Sequence, residues 1–261
     1  MKRVSKPLLA VAMGMMATVS IAGIADAENG RVNLPIVNLE LHSSAGFTPK
    51  AVSKTQPTPG VLNVSWEAAT LDGTHSAALR EFVFEADRDM SFDLKGYPTC
   101  GLMQQVEPQW PIPIRCRDAR IGEGRVNLTI AFPEQEEMAL SSRMLIFNGS
   151  ERDGVPTIDA YFEITEPTPA ALMIIGTVRR TDTGRYGTEV VFSIPKIAGG
   201  SGSVTSFEAT IGKEYVYKGK RHSVVSLKCP DDKTLFHDEA IFSDGTWFPA
   251  DIVRTCIGKA D

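Results

Sequence analysis

Few side chains of this 261-residue chain are both equipped and spaced for chemistry. It has four histidines: His42, His75, His222 and His237. His237 and Glu239 lie two apart, so on a strand they share one face. An imidazole beside a carboxylate is the beginning of a metal site or of an acid–base pair. No second histidine or carboxylate cluster accompanies them in sequence. The pair therefore reads as a solvent-facing polar strand face, and a site there is the weaker candidate. A serine nucleophile on a sharp turn would show G-x-S-x-G, but Gly199–Ser203 reads GGSGS and breaks at its last position. Carboxylates are too numerous for a glycosidase pair to stand out. Asp153-Gly154 and Asp244-Gly245 lack the alternating oxygen ligands and distant Glu of a calcium loop and read as hairpin turns. No catalytic residue, metal or cofactor is singled out. The N-x-S/T triplets at Asn63, Asn127 and Asn148 matter only in a host that glycosylates.

The cysteines are Cys100, Cys116, Cys229 and Cys256. No C-x-x-C occurs, which argues against a structural zinc site and a thioredoxin-like redox site. An even count in an exported chain favours disulfides. Three pairings are possible and the spacing alone does not choose, although pairing neighbours closes the shortest loops. The segment Gly96–Gly124 then reads as a stapled loop. Pro108, Pro111 and Pro113 have no amide hydrogen for a central strand. Gly122-Glu123-Gly124 lacks the third glycine and the following helix of a dinucleotide fingerprint and is expected to turn into a strand.

Export is read from the N-terminus. Lys2, Arg3 and Lys6 precede the uncharged stretch Pro7–Ile24, which closes on Ala25-Asp26-Ala27. This is the pattern of a secretory signal peptide over residues 1–27, cleaved after Ala27 to leave Glu28 first, and its basic-apolar form looks bacterial. Cleavage takes three of 27 basic residues and Asp26 from 32 acidic ones, leaving 24 against 31, a net charge of −7. That balance gives no electrostatic reason to bind nucleic acid or anionic lipid. No later stretch reaches the ~20 apolar residues of a membrane span. The expected product is secreted, with an envelope or extracellular partner, no nucleic acid and no membrane span in the mature chain.

The elements that must carry these groups are strands. Val126, Leu128, Ile130 and Phe132 alternate with Arg125, Asn127 and Thr129, the period-2 mark of a half-buried strand. Phe82, Phe84 and Ala86 form a similar face, as do Leu62, Val64 and Trp66, and Ile158, Ala160, Phe162 and Ile164. Leu172–Val178 is apolar on both faces and is expected to be central. Asp-Gly and Gly-rich turns separate these runs. One short helix is expected in Glu134–Ser142. The reading is an all-β, antiparallel β-sandwich of one or two packed sheets over residues 61–261, with a curved half-barrel sheet as the alternative. Residues 28–60, rich in Ser, Thr, Pro and Lys toward their end, read as an extended or flexible arm, with an ordered edge strand around Val32–His42 as the alternative.

One resemblance adds to this. Gly96, Pro98, Cys100, Cys116, Ala119, Gly122 and Gly124 spell G-x-P-x-C followed by C-x-x-A-x-x-G-x-G. Cys229 to Cys256 encloses an Asp-rich turn and a strand ending in Asp-Gly-Thr. Both segments resemble a group of secreted, uncharacterised β-rich proteins of soil actinobacteria, with departures at Tyr97 (leucine is more usual) and Asp232 (glycine). The resemblance implies an exported β-rich fold with neighbour disulfides, Cys100–Cys116 and Cys229–Cys256, and implies no activity. The functional expectation is a non-catalytic binding or structural protein. The alternatives are a carrier holding an apolar ligand in a sheet cavity and an extracellular hydrolase.

Overall fold

The computed structural model describes residues 30–34, 38–101, 112–166, 168–181 and 184–260. The expected leader and its expected cleavage site, and Pro108 and Pro111 of the stapled loop, lie outside the described residues. The first strands are β1 (Gly30–Leu34), β2 (Leu39–Thr48), β3 (Ala51–Ser53), β4 (Thr58–Pro59), β5 (Val61–Thr70), β6 (Leu79–Asp87) and β7 (Met90–Phe92). After the one-turn helix α1 (Ile112–Arg115) come β8 (Arg120–Ile130), β9 (Met138–Asn148), β10 (Thr157–Ile164), β11 (Ala170–Arg180), β12 (Tyr186–Ser193) and β13 (Gly202–Ile211). The chain ends with β14 (Glu214–Tyr217), β15 (Lys220–Ser223), β16 (Val225–Leu227), β17 (Lys233–Phe242), β18 (Trp247–Thr255) and β19 (Ile257–Lys259).

Twelve strands make one sheet in the order β1-β2-β5-β13-β8-β9-β10-β11-β12-β6-β17-β18, and every neighbour pair in it is antiparallel. The sheet curls until its ends nearly meet. Across that seam Arg254 of β18 donates from Nε to the Ala45 carbonyl (2.6 Å) and from a terminal nitrogen to Ser44 Oγ (2.7 Å). Opposite walls pack face to face. The Trp66 ring of β5 lies 5.9 Å from Phe82 of β6 and 6.3 Å from Phe242 of β17, and Phe82 lies 5.0 Å from Phe207 of β13. The sandwich expected from sequence is thus one folded-over sheet.

Alternation explains which side faces in. On β8, Val126, Leu128 and Ile130 are buried, while Glu123 and Arg125 are exposed. Apolar residues inside and polar ones outside is the reverse of a membrane-spanning barrel. Among the described residues no helix is long and apolar enough to cross a membrane. The interior keeps a cavity of about 90 Å³, lined only by apolar side chains such as Leu62, Phe82, Ile146, Ile174, Val190 and Phe207.

The strand apolar on both faces has a second cover. Ile174 of β11 faces the main core, whereas Ala171 and Met173 face a smaller cluster outside the sheet. That cluster joins Leu145, Phe147 and Tyr161 to Cys100, Ile112, Cys116 and Ala119. The Cys100–Cys116 disulfide therefore clamps a lid, including α1, onto the outer face of β9–β11. The second disulfide joins Cys229 to Cys256 beyond β18.

Three local expectations are corrected. Residues 39–59 form β2, β3 and β4 rather than a flexible arm, in line with the alternative of an ordered strand around Val32–His42, and β2 pairs with β5 along its whole length. Leu39, Leu41, Ser43, Ala45 and Phe47 all point inward, but the small or polar Ser43 and Ala45 hide the alternation. The expected helix over Glu134–Ser142 is a turn and the start of β9, where pairing with β8 overrides local helix propensity. Gly122-Glu123-Gly124 is no turn but lies within β8, with a register shift between Arg120 and Gly122. At Gly124 a Cβ would stand within 2 Å (1.9 Å) of the Glu208 carbonyl, so only glycine permits that approach.

Candidate functional site

The turn at Asp244-Gly245, with Gly245 at φ 88°, reverses β17 into β18 and sets their register. It places Asp251 directly opposite His237 and Pro249 opposite Glu239. On its other side β17 pairs with β6, where Glu85 faces His237. Glu85 in turn faces Glu189 of β12, and Glu189 faces Arg179 of β11. One row of five side chains therefore crosses five strands on the outer face: Asp251, His237, Glu85, Glu189 and Arg179. Residues opposite one another in antiparallel strands stand about 5 Å apart, so like charges repel and unlike charges attract along such a row.

The structure joins the sequence-derived pair. His237 Nε2 lies 3.3 Å from Glu239 Oε1, and His237 Nδ1 lies 2.7 Å from Asp251 Oδ1. Tyr186 donates its hydroxyl to the same Asp251 oxygen at 2.9 Å, and Trp247 donates its indole N–H to Glu239 at 3.2 Å. Asp251, Tyr186 and Glu85 were not anticipated as partners. Burial works against the imidazolium, but the Asp251 and Glu239 carboxylates outweigh it and hold His237 above its ordinary value of 6.5. Glu85 is raised above 4.5, first by burial, with Glu189, Glu239 and Asp251 adding to the rise and His237 opposing it.

This geometry decides the chemistry. Ionised carboxylates only accept hydrogen bonds, so a protonated imidazole can donate to one at each nitrogen, and the two contacts favour that charged form. In that form it has no free lone pair for a metal. The row is an electrostatic tie across the wall of the sheet. Beside it runs a shallow depression of about 690 Å³ lined by Glu81, Glu85, Glu189 and Glu239 together with Arg179.

The other histidines stand apart. His42 meets Glu40 at 3.1 Å, His75 meets Thr129 at 3.2 Å, and His222 meets Asp93 at 2.9 Å. Among the described residues no group of three or more His, Cys, Asp or Glu is arranged to hold a metal ion. Three further carboxylates are buried, Asp87, Asp159 and the inward-facing Asp238. Asp87 accepts the Leu235 and Asp89 amides and Arg185 Nε. Asp159 keeps one oxygen without a partner and is raised above 3.8 chiefly by burial. Asn148 is buried and donates its amide to the Tyr97 and Pro98 carbonyls, so it offers no glycan attachment point. Comparison with known protein families, with curated proteins and with solved structures finds no match to this chain.

Proposed function

We propose that the protein is an exported binding or structural module, without catalysis, that works at the cell envelope or in the surrounding medium. The observation that carries this reading is the engagement of His237 by two carboxylates. Among the described residues the best-placed acid–base group is engaged in a tie between strands, and no hydroxyl or thiol nucleophile bonds to it. Two disulfides and the leader pattern support the oxidising compartment. The polar outer wall supports a role in surface contact. Carriage of an apolar ligand is the second reading, favoured in kind by the wholly apolar cavity. At about 90 Å³ that cavity is well below the ~300 Å³ of ordinary ligand pockets, so a carried molecule would have to part the walls.

The test is a broad screen for esterase, glycosidase and peptidase activity with wild type and the double variant His237→Ala/Glu239→Ala. Both are expected to be inert. Turnover by the wild type that the double variant loses would refute the reading and locate the site. Mass spectrometry of the exported product should give Glu28 as its first residue, and an intact Met1 form confined to the cytosol would refute the compartment.

A further inference from the structure

The negative charge of this chain is not evenly spread. Lys213, Lys218, Lys220 and Arg221 fall within nine residues, with Glu214 alone against them. They sit on the hairpin made by β14 and β15, in which Val216 faces Arg221 and Tyr217 faces Lys220. Its two-residue turn is Lys218-Gly219, at φ 49° and 75°. Two successive positive φ values match the turn whose twist fits a hairpin, so the tip is held in shape. All four cations are exposed, and none forms an ion pair with a described residue.

One face of the hairpin is anchored to the body. The Tyr215 hydroxyl donates to the Asp93 and Lys95 carbonyls at 3.1 and 3.0 Å, and the Tyr97 and Tyr215 rings meet edge to face at 4.9 Å. His222 pairs with Asp93. Tyr217 lies so close over Gly96 that a Cβ there would be 2.2 Å from its ring. Strand alternation turns Glu214, Val216 and Arg221 the other way, with Lys218 at the tip and Lys220 exposed on the Tyr217 side, and Val216 is 70% exposed. Lys95, also exposed, adds a fifth cation beside the hairpin. The result is a basic projection on which an exposed valine stands beside Arg221 and below the Lys218 tip.

We propose that this hairpin docks the protein reversibly on a bilayer of anionic phospholipid. Its lysines and arginine meet the headgroups, and Val216 enters the interface. A basic patch alone would suit any polyanion. The outward valine favours a surface that offers both negative charge and an apolar layer beneath it. The net charge of −5 conceals this patch. The inference goes beyond the reading above and rests on it only in placing the protein where such a surface is met.

Vesicle binding by the purified exported protein tests it whether or not export or inactivity is read correctly. Co-sedimentation would compare vesicles of equal parts phosphatidylglycerol and phosphatidylcholine with vesicles of phosphatidylcholine alone. Binding is expected to the mixed vesicles only and to be released near 1 M salt, where screening shortens to about 3 Å. Each cation near an anionic surface contributes about five-fold in affinity, so Lys218→Ala with Lys220→Ala should weaken binding roughly 30-fold. Val216→Asp should weaken it too, without change in the thermal midpoint. Lys213→Ala with Arg221→Ala supplies an independent pair should the first not fold. Equal sedimentation with both vesicle types, or with neither, overturns the proposal. So does binding to heparin and to mixed vesicles that Val216→Asp leaves unchanged, which would make the partner a soluble polyanion.

Discussion

Replacing Asp238 by asparagine should stabilise the protein at neutral pH and change little in acid. Asp238 points inward from β17, is 4% exposed, and accepts a hydrogen bond from Ser43 Oγ of β2 at 3.0 Å, across the seam where the sheet nearly closes. Burial pushes its carboxyl up to about 7 from 3.8, and the Ser43 hydroxyl and the His237 charge pull it back only in part. A carboxyl whose folded value is raised favours the folded state while neutral. Its contribution is fully present below the unfolded value of 3.8 and is lost as pH rises through about 7. A rise of about 3 units at 1.36 kcal/mol each makes the loss about 4 kcal/mol by pH 8. Asparagine keeps the shape and the acceptor for Ser43 and does not ionise. The stability difference between Asp238→Asn and wild type should therefore grow by about 4 kcal/mol between pH 4 and pH 8, or roughly 8–16 °C in midpoint for a chain of this size. Urea unfolding at a series of pH values measures it. Any constant penalty for packing the amide cancels in the difference. Two curves that stay parallel across that range would show that Asp238 carries no buried-charge penalty.

Other outcomes follow from single contacts. His237 should titrate above 6.5 in a proton NMR titration. The stability it adds over His237→Ala should be complete below 6.5 and fade as pH rises through its folded value. Gly96→Ala should lower stability by more than about 1 kcal/mol in thermal unfolding, because its φ of 73° disfavours a side chain and the Cβ would meet the Tyr217 ring. Trp66→Ala should cost about 3–5 kcal/mol, since Trp66 is 2% exposed and meets three phenylalanine rings. Loop entropy for separations of 16 and 27 residues gives about 3 and about 3.5 kcal/mol to the two disulfides, so Cys229→Ser should destabilise slightly more than Cys100→Ser.

The strands are legible wherever large apolar residues alternate, as in Val126–Ile130 and Phe82–Ala86. They are less legible where the alternation is weak. Small or polar Ser43 and Ala45 on the inward face of β2 let it read as part of an arm, and the start of β9 reads as a helix because its inward Met138 and Leu140 follow the run Glu134–Glu137 of helix-favouring residues. The site divides the same way. The turn at Asp244-Gly245 fixes which residues of β17 and β18 stand opposite, so Asp251 facing His237 was within reach of the sequence. Glu85, Glu189 and Arg179 join the row through pairings of distant segments, which no local pattern encodes.

The long-range pairings also explain why the row holds its charges as it does. Glu85 and Glu189 face each other directly, an arrangement that repels. His237 on one side and Arg179 on the other place a cation beside each of them. The imidazolium therefore has two duties: it bonds Asp251 and Glu239, and it offsets the paired glutamates on the neighbouring strands. A histidine used in this way must stay protonated, whereas a general base must be free to accept a proton. The same register that brings Asp251 and Glu85 to His237 from the two neighbouring strands thus works against its use as a general base. That is why the cluster that most resembles an active site is better read as a fastening in the wall of the sheet.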